Sequence, residues 1–174
     1  MKKIIIITIT ILTFAIINKN VNASSIMIPE EAIRLRVIAN SDSTYDQEVK
    51  LEVSKEVQDE IYNLLENTTT INQSRDIIKS NIPKIENAVE KVFKEKNYIN
   101  TFKVNYGYNY FPEKEYKGVK YEEGEYESLL ITLGEGKGKN WWCVLFPPLC
   151  LIEAEESDEV EYKFFVQEMI EKYF

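Results

Sequence analysis

The apolar residues between Ile33 and Leu64 change their spacing once, and that change sets a strand ahead of a helix. From Ile33 to Ala39 they alternate with Arg34 and Arg36, the period of a strand with one face toward a core. Asn40, Ser41, Asp42, Ser43 and Thr44 then interrupt the pattern with turn and cap formers. From Asp46 onward Val49, Val53, Val57, Ile61 and Leu64 recur every three or four residues, the period of an amphipathic helix. A second helical pattern runs from about Gln73 to Asn97, with Pro83 inside it. Either a kink at Pro83 or two helices, with Pro83 in the first turn of the second, accommodates that residue.

Strand periodicity returns at Thr101–Tyr106 and continues through a Tyr-rich stretch to Phe111 and Pro112. The charged segment from Glu113 to Glu125 reads as a hairpin loop. Glu127–Leu133 and Trp141–Phe146 read as strands, joined by a flexible connector holding Gly134, Gly136 and Gly138. An acidic linker over Glu153–Asp158 leads to a terminal amphipathic helix through Tyr162, Phe165, Val166, Met169, Ile170 and Tyr173. The order β-α-α-β-β-β-α predicts a single α+β domain, an antiparallel or mixed sheet with helices packed on one face.

Ahead of this domain, Lys2 and Lys3 precede an apolar run from Ile4 to Ile17, and Val21-Asn22-Ala23 places small residues where a signal peptidase reads. As a helix the run spans roughly 21 Å, short of the ~30 Å hydrocarbon core. Residues 1–23 are expected to be a signal peptide cleaved after Ala23, with a retained N-terminal anchor as the alternative. Residues 24–32 are then a linker, 33–152 the α+β domain, and 153–174 the acidic linker and C-terminal helix. Removal of the leader takes Lys2, Lys3 and Lys19 and leaves 18 bases against 29 acids, a net charge of −11.

Composition excludes several functions. The chain has 21 Lys+Arg against 29 Asp+Glu, which argues against a nucleic-acid partner. It has no histidine, so His-activated nucleophiles and His-ligated zinc are ruled out, and two cysteines cannot close a structural zinc site. The Gly134-x-Gly136-x-Gly138-Lys139 run lacks the spacing, the following Ser or Thr, and the following helix of a phosphate loop. The acids around Asn40–Asp46 lack the central glycine and twelfth-position Glu of a Ca²⁺ loop, and helix capping explains them. Glu122/Glu123 and Glu125/Glu127 offer carboxylate pairs for glycosidase-type chemistry, but in so acidic a chain they read as a solvated loop. No catalytic residue, cofactor, metal or small-molecule substrate is expected.

Two features point toward binding instead. Cys143 and Cys150 flank Pro147-Pro148, and in an exported chain a disulfide across that reversal is expected, with two buried thiols as the alternative. In a strand Trp141 and Trp142 point to opposite faces. They either fill a two-sided core or leave one ring exposed to anchor a partner.

The run from Ile33 to Ser43 (IRLRVIANSDS) with Asp46-Gln47, and the block from Gly124-Glu-Tyr-Glu through Ile131 to Cys150 (ITLGEGKGKNWWCVLFPPLC), resemble the stage II sporulation protein R family of endospore-forming bacteria. The resemblance covers about residues 29–152. It implies a signalling protein, not an enzyme, secreted from the forespore into the space between two membranes. There such proteins activate a membrane-embedded aspartic protease of the mother cell, which processes pro-sigma-E. It also implies that Arg34, Arg36, Asn40, Asp42, Asn140, Trp141 and Trp142 are partner-contact or scaffold positions. Membrane contact would be transient, through the signal peptide. An exported cell-wall hydrolase and a structural envelope protein are the alternatives.

Overall fold

The computed structural model describes residues 26–116, 119–151 and 159–174. The expected leader (1–23) and the acidic linker (153–158) lie outside these residues.

The central sheet has four strands in the order β3 (Phe102–Phe111), β6 (Gly124–Leu133), β2 (Ile33–Ile38) and β7 (Asn140–Phe146). It is mixed: β2 runs parallel to β6 and antiparallel to β7, and β3 is antiparallel to β6. Helices α1 (Thr44–Leu65), α2 (Ile71–Ser80) and α3 (Ile82–Glu95) pack on one face. On that side Ile33, Leu35 and Val37 of β2 and Leu129, Ile131 and Leu133 of β6 are fully buried against Val49, Val53, Val57, Ile85 and Val89. Burying one such side chain is worth about 1.5–3 kcal/mol.

Local chemistry sets the helix ends. Ser43 caps α1 by accepting the Asp46 backbone N–H at 3.1 Å, and Thr70 caps α2 by accepting that of Gln73 at 3.3 Å. Asn81 ends α2 and opens α3, with Pro83 in the first turn, so the second helical pattern is two helices. After α3, Asn97 takes φ +51°, which lets the Tyr98 N–H reach the Phe93 carbonyl (2.8 Å) and the Asn97 N–H reach that of Lys94 (3.2 Å). The Phe93 and Tyr98 rings close this cap edge-to-face, with centroids 4.8 Å apart.

Two expectations are corrected. The charged segment after Phe111 is not a plain loop: β4 (Lys114–Tyr116) and β5 (Val119–Tyr121) form an antiparallel pair, and β1 (Ile26–Met27) adds to β5 in parallel. Val119 is fully buried, an apolar anchor hidden among charges. Nor do all the helices share one face. Helix α4 (Glu159–Tyr173) joins the small sheet in a second core, where Val166 and Met169 meet Ile28, Ala32, Val119, Val144 and Leu149. The Tyr173 ring reaches back to Phe146 of the first core, with centroids 5.0 Å apart. Among the described residues, no helix is long and apolar enough to cross a membrane.

The Cys143–Cys150 disulfide forms, with α-carbons 5.7 Å apart, and ties the middle of β7 to the short helical turn Leu149–Leu151.

Candidate functional site: the arginine face of the sheet

Alternation along β2 divides its residues between the two sides of the sheet. Ile33, Leu35 and Val37 go to the helices; Arg34, Arg36 and Ile38 go to the other face. The register then gathers the rest of that face. Opposite Arg34 stand Ser128 and Val144, and opposite Arg36 stand Leu130 and Trp142. Asn140 is paired with Ile38, and β3 contributes Lys103, Asn105, Gly107, Asn109 and Phe111.

Phe111 organises the cluster. Its buried ring lies 5.7 Å from the guanidinium carbon of Arg34 and 5.7 Å from that of Arg36, with the Trp142 ring edge-on at 5.4 Å. Arg34 is 2% exposed and stacks on Tyr126, its guanidinium carbon 3.3 Å from the ring centroid. Gly124 makes room for that ring, because a Cβ there would meet Tyr126 at 3.2 Å. Arg36 donates from Nη1 to the Tyr110 carbonyl at 2.9 Å, and the Lys114 ammonium lies 4.9 Å from the centre of the Trp142 ring.

Burial lowers the pKa of both guanidiniums from the usual value. Several buried polar atoms here lack a hydrogen-bond partner: Nε and Nη1 of Arg34, Nε of Arg36, Nε1 of Trp142 and Oδ1 of Asn140. Four of those five atoms are donors, so what the cluster can still do is hold an acceptor.

Asn40 and Asp42 lie elsewhere, in a clasp at the end of β2. Asn40 donates to Asp46 at 3.0 Å and accepts the Glu135 backbone N–H at 3.0 Å; Asp42 accepts that of Lys139 at 2.7 Å. The loop thereby holds the glycine turn between β6 and β7. The turn needs its glycines: Gly134 has φ +54°, and a Cβ on Gly138 would lie 2.2 Å from the Ser41 carbonyl oxygen. Ser41 and Tyr98 also donate to Asp46. Burial alone would raise the Asp46 pKa, but hydrogen bonds from Ser41, Tyr98, Asn40 and Ser43 outweigh it and hold the carboxyl below the usual range. Burial and the bond to Asp46 push Tyr98 up to about 12.

Trp141 and Trp142 do point to opposite faces: Trp141 packs partly against the helix-side core while Trp142 lies on the arginine face, and both are half-buried. The structure therefore brings Arg34, Arg36, Asn140 and Trp142 to one face and places Asn40, Asp42 and Trp141 outside the cluster. Phe111, Tyr126 and Lys114 belong to the site and were not singled out from the sequence. Parity along β3 carries the signal for Phe111, the one apolar residue in the series Lys103, Asn105, Gly107, Asn109, Phe111.

Glu127 is not a solvated acid. It is buried, accepts a two-pronged ion pair from Arg75 (2.7 Å and 2.7 Å) and accepts the Tyr106 hydroxyl at 2.9 Å. Among the described residues, no group of three or more His, Cys, Asp or Glu is arranged to hold a metal.

Comparison with known proteins adds the identity of this architecture. The family model described as stage II sporulation protein R matches residues 29–156. The stage II sporulation protein R of Bacillus subtilis (strain 168) is 40% identical over 136 residues, which cover 78% of this chain and 61% of that relative. The chain thus spans less than two thirds of the relative's length. No solved structure matches. The matched segment holds the whole central sheet and the arginine face described above, and the chain belongs to the stage II sporulation protein R family.

Proposed function

We propose that this chain is an exported sporulation signal, made in the forespore and secreted into the intermembrane space. There it activates a membrane-embedded aspartic protease of the mother cell and so triggers processing of pro-sigma-E. The observation that carries the reading is the family match over residues 29–156, which supports a sporulation signalling role. The leader read from residues 1–23 supports export. The arginine face supports action by binding, since it gathers a half-buried tryptophan, two arginines and unpartnered donors on one surface.

Activation by a binding protein requires tighter binding to the active state of the protease than to its inactive state. Trp142 and Arg36 are the residues proposed to make that difference, while Asn40 and Asp42 act as scaffold by holding the turn that leads into β7.

The test is co-expression of this protein with the candidate protease and pro-sigma-E, scoring cleavage with and without it. Cleavage is expected only in its presence and is expected to fall at least tenfold with Trp142→Ala, about 1.4 kcal/mol of lost binding. Cleavage that is the same whether or not the protein is present would sink the reading.

A further inference from the structure

The central sheet distributes charge unevenly between its faces. On the helix side β6 carries Glu125 and Glu127. On the other side β2, β3, β6 and β7 present Arg34, Arg36 and Lys103 among asparagines, small residues and aromatics, and no strand residue there is an acid. This is a chain with 29 acids and a net charge of −8. Three bases and no acid on this side of the four strands reverse, locally, the balance of the whole chain.

The face is also bounded. The small sheet covers one corner, where Val119 meets Val144 and Lys114 approaches Trp142. At the far end the glycine turn folds over Thr132 and Ile38, whose methyl groups lie 2.6 Å and 3.7 Å from where a Cβ on Gly136 would sit. Between these limits Leu130, Arg36, Trp142 and Asn140 are half-buried, Asn105 is exposed, and a Cβ on Gly107 would meet nothing within 4 Å. An open strip remains across the strands.

Arg34, at 2% exposure and paired with Val144 at the covered corner, keeps two donor nitrogens unpartnered at the end of this strip, and Arg36 and Trp142 each keep one. The polar groups acting on Arg34 are tyrosines, Tyr126 and Tyr121, and Arg36 donates to the Tyr110 carbonyl. Buried donors without acceptors are disfavoured, and two guanidiniums against one ring repel each other. A planar acceptor of opposite charge relieves both.

We infer that the strip between the small sheet and the glycine turn docks an acidic segment of the protein partner, with one aspartate or glutamate carboxylate seated against Arg36 and the Trp142 indole N–H. Arg34 is a positioning residue, supplying positive charge from the covered end of the strip. The inference rests on the docking role proposed above and names the chemistry of the occupant. Charge complementarity selects the partner. A phosphate-rich polymer needs clustered exposed bases, which a chain of net charge −8 with one half-buried arginine here does not offer. One planar guanidinium beside an indole donor matches a single carboxylate.

The test uses the purified chain labelled with ¹⁵N and follows its two indole N–H resonances. The probes are N-acetyl-glutamate α-amide, its uncharged glutamine counterpart, and inorganic phosphate. The glutamate probe is expected to move the Trp142 signal saturably, with Trp141 serving as the internal reference. The glutamine probe is expected to leave it in place, and phosphate to move it less. Arg36→Lys should weaken the effect about tenfold, and Arg36→Gln should abolish it while far-UV circular dichroism stays unchanged. A Trp142 signal that ignores the glutamate probe, or follows glutamine or phosphate equally, overturns the carboxylate site. If the probe binds but Arg36→Gln leaves pro-sigma-E cleavage intact, the carboxylate chemistry stands and the docking of the protease on this face falls.

Discussion

The two faces of the central sheet are built from the same four strands and obey different rules. The helix side is sealed over β2 and the second half of β6: Leu35, Val37, Leu129, Ile131 and Leu133 are fully buried, and the buried acid of β6, Glu127, is answered by Arg75 and Tyr106. The arginine side is half-open, and its buried donors at Arg34, Arg36 and Trp142 are unanswered. Satisfied polar groups inside a packed layer mark a surface finished by folding. Unsatisfied ones at the rim of an open strip mark a surface that folding leaves incomplete. The alternation of a single strand, β2, produces both.

The sharpest way to break this contrast is a matched pair of truncations. Leu35→Ala is expected to cost about 3 kcal/mol, and Leu130→Ala, its counterpart on the open side, under about 1.5 kcal/mol by urea denaturation. Equal losses would erase the distinction between the faces. At the seam, Cys143→Ser with Cys150→Ser should lower stability by about 2–3 kcal/mol, the chain-entropy value for so short a loop.

Removing the acid on the sealed side, Glu127→Ala, should cost about 2 kcal/mol, because it strands a partly covered Arg75. Acid titration refines that figure. Burial would raise the Glu127 pKa, but the bonds from Arg75 and Tyr106 hold it below the usual range, as its own hydrogen bonds do for Asp46. Groups lowered in the folded state stabilise it above their unfolded pKa values, about 4, and lose that contribution as pH falls through the folded ones. Stability should therefore decline below about pH 4, and Asp46→Asn should flatten the decline. Tyr98 runs the other way: raised to about 12, it favours the fold below about pH 10 and loses that effect as pH climbs toward 12. Tyr98→Phe should blunt that alkaline loss. The smallest effect is expected on the open strip, where Asn105→Ala should shift stability by less than about 0.5 kcal/mol.

Much of this was legible from local pattern. The single change of period after Ala39, the cap at Ser43 and the proline at 83 placed β2, α1 and the α2–α3 break, because each depends on neighbours within a few residues. The small sheet was not legible. Its strands are three residues or fewer, and β5 finds its partner β1 some ninety positions earlier, so the charges around Val119 dominated the pattern.

The candidate site was half legible. Arg34 and Arg36 advertise themselves by interrupting an apolar strand, and Trp142 by its place beside Trp141. Phe111 and Tyr126 join them only through the β3–β6 register, which no short-range pattern contains. Asn40 and Asp42 stood in the same motif as the arginines, yet they serve the turn before β7; adjacency in sequence did not become adjacency in the cluster.

One feature of the topology bears on how the molecule is made. Strand β2 is an inner strand, and both of its neighbours, β6 and β7, come from residues about ninety or more positions later. Such contacts close slowly, and here neither can begin to close until β6 has left the ribosome, nor both until β7 follows. The growing polypeptide thus lacks its central sheet for most of its synthesis, and its definitive shape comes late.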